Sequence, residues 1–155
     1  MSDVIDYPTI TAALIAARNA AVDAALPYAG TVHPREAWAI FSRGEAKLID
    51  VRSNEEQKFV GSIFGAIGVP WATGTGLIRN PRFVREVEQK AAKNEVLLLL
   101  CRSGKRSALA ARALTEAGFE NVFNIAEGFE GEIDDKQQRG GIGGWRFHNL
   151  PWVQD

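Results

Sequence analysis

The sequence predicts an α/β fold built on a central parallel sheet, and three observations carry that prediction. Short apolar runs alternate with longer amphipathic runs from residue 31 onward. The run VLLLL at residues 96–100 is apolar at every position, which suits a strand covered on both faces. A short polar loop then leads directly into an alanine-rich helical run, and strand–loop–helix is the connection parallel strands require.

The elements follow in order. Residues 9–26, TITAALIAARNAAVDAAL, have a helical pattern with Leu14, Ala17, Ala21 and Ala25 on one side. Pro27-Tyr28-Ala29-Gly30 ends the helix and reads as a linker, so residues 1–30 form a helical extension and residues 31–155 the domain. Thr31 or His33 caps a helix with Pro34 and Glu36 in its first turn and Ala37, Trp38 and Phe41 on its apolar face; Gly44 closes it. Residues 47–51, KLIDV, read as a strand, and Ser53 caps a helix whose first turn holds Glu55 and Glu56. Gly61 and Gly65 interrupt before a strand at residues 66–69, stopped by Pro70. Residues 71–80 read as a glycine-containing loop. Asn80 and Pro81 open a helix to about residue 93, with Phe83, Val84 and Val87 facing inward. After the strand at 96–100, Ser107 opens and caps a helix that stops at Gly118, and residues 122–125 form the last strand. In the glycine-rich tail from residue 126, Trp145, Phe147, Leu150 and Trp152 clamp the chain onto the body.

Composition excludes several functions. At 155 residues the chain is one domain with an appended segment, and 46% hydrophobic with 24% charged residues is the balance of a soluble protein. A net charge of −1 with dispersed basic residues leaves no footprint for nucleic acid. No apolar run approaches the ~20 residues of a membrane span, so no membrane partner is expected. Residues 1–10 carry neither a basic n-region nor an apolar h-region. A single cysteine makes no internal disulfide, which favours a reducing, cytoplasmic setting.

That cysteine is the chemical focus. Cys101 sits beyond the carboxyl end of an apolar strand, where ligands of open α/β sheets bind. Arg102, Lys105 and Arg106 surround it, and the following helix turns its N-terminal dipole and free N–H groups toward it. Each favours the thiolate, the nucleophilic form. A buried structural cysteine would not be followed by Arg-Ser-Gly-Lys-Arg. Gly104 permits a turn that aims successive N–H groups at one point, a nest for a phosphate, a sulfonate or the outer sulfur of a persulfide. From Cys101 to Arg106 the pattern is Cys-x4-Arg. The loop of cysteine phosphatases is one residue longer, giving a tetrahedral oxyanion a wider ring of donors. The shorter loop favours sulfur.

With this loop the chain resembles the rhodanese family of sulfurtransferases. Leu48-Ile49-Asp50-Val51-Arg52 with Glu56 is similar to the family's first signature, and Gly61-Ser62-Ile63-Phe64-Gly65-Ala66 with Val69-Pro70 continues it. Cys101 to Ser107 is similar to the active-site loop, and Asn124-Ile125 with Glu127-Gly128-Phe129 to the final strand and glycine turn. The resemblance covers residues 31–155 and leaves the N-terminal helix outside. Ser62 stands where the family usually has histidine, Glu127-Gly128 replaces the usual glycine pair, and an insertion runs through Gly144. The resemblance implies a rhodanese-like α/β domain with Cys101 as catalytic nucleophile, shuttling a sulfane sulfur as a persulfide.

The roles expected on that basis are specific. Cys101 attacks thiosulfate or a related small-molecule donor and passes its sulfur to a thiophilic acceptor, with a sulfur-accepting protein a further candidate partner. Arg102, Ser103, Gly104, Lys105, Arg106 and Ser107 bind the substrate: backbone N–H groups stabilise the sulfur's charge, and the cationic side chains draw in the dianion. Asp50 and Arg52 at a strand end read as a structural ion pair beside the site. His33 and His148 lie far apart in sequence without metal-ligand spacing and read as structural. Glu130, Glu132, Asp134 and Asp135 lack the calcium-loop pattern and read as a solvated acidic rim. No metal and no cofactor is expected. The rival readings are a non-catalytic partner-binding or redox-sensing module, and a cysteine phosphatase or arsenate reductase on the related loop.

Overall fold

Four consecutive leucines cannot present a polar face, and the strand that holds them lies at the centre of the sheet. The computed structural model describes residues 7–155; residues 1–6, on which most of the signal-peptide reading rests, lie outside it. The chain runs α1 (Tyr7–Asp23), β1 (Gly30–Val32), α2 (Pro34–Ser42), β2 (Lys47–Asp50), α3 (Asn54–Phe59), β3 (Ile67–Gly68), β4 (Ala72–Thr73), β5 (Ile78–Arg79), α4 (Phe83–Glu88), β6 (Val96–Leu100), α5 (Lys105–Glu116) and β7 (Asn121–Ile125). The main sheet is parallel throughout, in the order β1-β7-β6-β2-β3.

Strand periodicity divides the core in two. Leu97 and Leu99 join Ile49 and Val122 on one face, covered by Phe83 and Val87 of α4 and by Ala110, Ala111 and Leu114 of α5. Leu98 and Leu100 join Leu48, Phe123 and Ile125 on the other, covered by Ala37 and Ile40 of α2, Ala17 of α1 and Trp145 of the tail. The small Ala17 lets α1 come close to β1: a Cβ on Gly30 would stand 2.7 Å from the Ala17 carbonyl oxygen. Helices therefore flank both faces, as the alternating pattern predicts. No described helix is long and apolar enough to cross a membrane.

Several local expectations change. The supposed linker ends in β1, three residues that pair with β7 at Gly30↔Phe123 and Val32↔Ile125. Residues 71–80 contain a two-stranded antiparallel ribbon, β4 with β5. The helix expected to reach residue 93 ends at Glu88, because the chain must turn twice to enter β6. The first helix ends at Asp23 rather than residue 26. His33 caps α2 and Ser53 caps α3, each in a reciprocal capping box with Glu36 and Glu56. Trp145 is fully buried, while Phe147 and Trp152 remain partly exposed.

Candidate active site

The loop after β6 wraps its own cysteine. Gly104, at φ +102, turns the chain so that its N–H points back to the Cys101 Sγ at 3.0 Å. Gly104 is also the backbone cap of α5, which begins at Lys105. This corrects the expectation that Ser107 opens and caps the helix: Ser107 is its third residue, fully buried, with Oγ 3.2 Å from the Cys101 Sγ. The same hydroxyl is hydrogen-bonded to Asn124 Oδ1 on β7, and Asn124 Nδ2 donates to the Gly104 carbonyl at 3.1 Å. Ser107 has one proton to divide between sulfur and amide oxygen. It serves the sulfur when turned away from Asn124.

A second turn backs this loop. The Cys101 carbonyl accepts the Phe129 N–H at 2.8 Å, and the Arg102 carbonyl accepts the Glu130 N–H at 2.9 Å. Gly128, at φ +66, packs so closely that a Cβ there would lie 2.5 Å from the Cys101 oxygen and the Arg102 carbonyl carbon. The preceding Glu127 adopts φ +67, a left-handed conformation unusual for glutamate. One glycine of the expected pair is thus replaced without loss of the turn.

The charged residues divide by partner. Lys105 is exposed, and Arg102 and Ser103 are half-buried. Arg102 Nε is buried and meets no acceptor among the described residues. Arg106 is engaged: its Nη1 and Nη2 donate to the two carboxylate oxygens of Glu56 at 2.7 and 2.8 Å. Burial opposes the charge on Glu56, yet Arg106 and the Ser53 bonds hold its carboxyl below the usual range. Burial likewise opposes the guanidinium, but Glu56 first, then the nearby Cys101 and Asp50, hold the Arg106 pKa above its ordinary value. The Arg106 charge therefore acts on the sulfur while its hydrogen bonds go to α3.

Asp50 and Arg52 form a fully buried pair, with Arg52 Nε and Nη2 on Asp50 at 3.0 and 2.7 Å. Arg52 Nη2 also donates to the Gly61 carbonyl at 2.7 Å, and the guanidinium lies 4.3 Å from the Phe129 ring centroid. The pair joins the end of β2 to the segments around Gly61 and the Phe129 turn. Ser62 bonds reciprocally with Val153 of the tail.

Four residues have roles that the sequence does not announce. Asn124 carries a polar side chain on a buried strand, an anomaly visible in the sequence. Glu56 belongs to the first signature, but nothing local points to its partner across the sheet end. His33 and His148, distant in sequence, meet with ring centroids 4.5 Å apart, and Glu127 lies between them.

Comparison with known proteins agrees with this geometry. A family model described as Rhodanese-like domain matches residues 33–132. An uncharacterised protein of Rickettsia conorii is 36% identical over 118 residues, 73% of this chain and 87% of that protein. The Arabidopsis thaliana protein named thiosulfate sulfurtransferase 16, chloroplastic, is 34% identical over 85 residues, 54% of this chain and 70% of that protein. The crystal structure of Rv0390 from M. tuberculosis matches with a TM-score of 0.75 at 38% identity, covering 83% of this chain and 99% of that one.

Proposed function

Because the chain belongs to the rhodanese-like domain family, we propose that it is a sulfurtransferase that carries a sulfane sulfur on Cys101. The observation that carries this reading is the Cys101 Sγ at the N-terminus of α5, where the Gly104 N–H donates to it at 3.0 Å and the Ser107 hydroxyl, shared with Asn124, lies 3.2 Å away. A fixed N–H donor at a helix N-terminus can hold a sulfur in place through the reaction. It serves a thiolate before transfer and a persulfide anion after it.

The reaction balances without an external oxidant. The Cys101 thiolate attacks the outer sulfur of thiosulfate; a new S–S bond forms as the old one breaks, and the electron pair leaves with sulfite. A thiophilic acceptor then attacks the terminal sulfur, and Cys101 departs as thiolate. Lys105 and the unpartnered Arg102 Nε attract the dianionic donor and neutralise departing sulfite, while the backbone of residues 102–107 cradles the outer sulfur. Ser103 contributes its N–H and hydroxyl at the rim. Arg106, committed to Glu56, anchors the loop and lends its field. The name of the plant relative supports thiosulfate as donor. The acceptor is a small thiol or a sulfur-accepting protein, and the free thiol suits a reducing cytoplasm.

The test is thiocyanate formation from thiosulfate and cyanide, paired with mass spectrometry. Wild-type protein treated with thiosulfate gains about 32 Da, one sulfur atom, and Cys101→Ser neither gains it nor forms thiocyanate. Hydrolysis of p-nitrophenyl phosphate without thiocyanate would overturn the reading in favour of a phosphatase. No adduct and no turnover would favour a non-catalytic module.

A further inference from the structure

We propose that His33, Glu127 and His148 form a binding site for a divalent transition metal, with zinc its best-suited ion. The proposal does not depend on the sulfur chemistry, although Glu127 belongs to the turn that backs the Cys101 loop. Its residues come from separate parts of the chain: the cap of α2, the turn after β7, and the tail. Their ligand atoms all lie within 4.8 Å of one another. His148 Nε2 is 2.9 Å from Glu127 Oε1, and His33 Nε2 is 3.6 Å from Oε2. Two imidazoles and a carboxylate are a zinc donor set, with further positions for water on the exposed side.

Hydrogen bonding alone accounts poorly for this cluster. At 3.6 Å the His33 Nε2 is too far from Oε2 to hydrogen-bond it, so hydrogen bonding does not explain its place beside the carboxylate. Yet the carboxylate is carefully held. Glu127 keeps a left-handed backbone at φ +67, and its Oε1 accepts the Gly144 N–H at 2.9 Å. A Cβ on Gly143 would stand 2.6 Å from that oxygen, so a larger residue there would push the carboxylate aside.

Ligation has one identifiable cost. His33 Nδ1 accepts the Arg35 N–H at 3.1 Å, and a metal on Nε2 moves the ring proton to Nδ1 and breaks that bond. The other half of the capping box, the His33 N–H on Glu36 at 2.9 Å, survives. Loss of one cap bond lowers affinity by roughly two- to thirtyfold.

The experiment uses the full, untagged chain carrying Cys101→Ser, so that the thiol does not bind metal. After chelator treatment, Zn2+ is titrated by calorimetry and Co2+ by visible absorption. One ion binds per chain, with a cobalt spectrum of a nitrogen–oxygen site, and zinc raises the melting temperature. His33→Asn keeps a side-chain cap but removes the ligand; with Glu127→Gln and His148→Gln it weakens binding at least tenfold. Circular dichroism identifies the variants that fold, and binding is compared among those alone. Absence of saturable binding, or binding unchanged in every folded variant, would overturn the site.

Discussion

Arg106 and Glu56 form a two-pronged ion pair at 2.7 and 2.8 Å that joins the first turn of α5 to α3, beside the cysteine loop. Both side chains are mostly buried, at 14% and 17% exposure. Removing one partner strands the other charge where water solvates it poorly. Glu56→Ala is expected to cost about 2 kcal/mol in urea unfolding, below the fully buried range because the pair keeps some solvent. Glu56→Gln, which retains hydrogen-bonding capacity, costs less.

The same pair sets a pH dependence. The folded Glu56 carboxyl titrates below its ordinary value of 4.5. The unfolded chain therefore binds this proton first as pH falls. The contribution is fully present above pH 4.5 and is lost as pH drops through the lower, folded value. Urea midpoints measured from pH 6 to pH 3 should fall less steeply in Glu56→Gln than in wild type. Equal slopes would show that other carboxylates dominate acid unfolding.

Ser107 and Asn124 make a separable prediction about chemistry. A hydrogen bond to a charged group contributes ~1.5–3 kcal/mol. Ser107→Ala should therefore slow persulfide formation from thiosulfate roughly ten- to hundred-fold in single-turnover measurements. Asn124→Ala frees the serine proton for sulfur but releases the Gly104 carbonyl. Its expected loss is smaller, and the double variant should be less than additive because both act through one hydroxyl.

Those residues also mark the limit of what the sequence makes legible. The leucine strand and the cysteine loop are legible because burial on two faces and clustered charge leave local signatures. The Ser53–Glu56 box is legible because its partners are three residues apart. Strand β1 is not, since three residues carry no period and Gly30 follows a proline-containing turn. The start of α5 is misplaced from sequence because Gly104 caps through its backbone alone. Arg106–Glu56, Ser107–Asn124 and the two histidines are long-range meetings that only the folded sheet produces.

The end of α1 carries a stability prediction of its own. Three helices finish with the same pair of backbone bonds: Leu26 N–H to Ala21 O and Ala25 N–H to Val22 O in α1, Glu45 to Ile40 and Gly44 to Phe41 in α2, and Phe119 to Leu114 and Gly118 to Thr115 in α5. The motif requires a left-handed residue, which is glycine at Gly44 and Gly118 but alanine at Ala25, φ +54. The absence of glycine there also explains why the sequence predicts a longer helix. Relief of the strained alanine, ~1–2 kcal/mol, exceeds the entropy cost of a glycine, ~0.5–1 kcal/mol. Ala25→Gly should raise stability by about 0.5–1 kcal/mol, and a lower urea midpoint would refute it.

Gly128 and Gly140 share positive φ values, +66 and +90, but only one is crowded. A Cβ on Gly140 meets nothing within 4 Å, whereas one on Gly128 meets the backbone of Cys101 and Arg102 at 2.5 Å. Gly140→Ala should therefore cost only the backbone strain, ~1 kcal/mol, and leave sulfur transfer unchanged. Gly128→Ala must push the cysteine loop aside, because the opposing atoms are main chain rather than flexible side chain. It should cost more than ~2 kcal/mol. It should also lower thiocyanate formation at least tenfold at temperatures where circular dichroism shows the variant folded. Activity equal to that of Gly140→Ala would mean that the turn supports the fold without setting the geometry around Cys101.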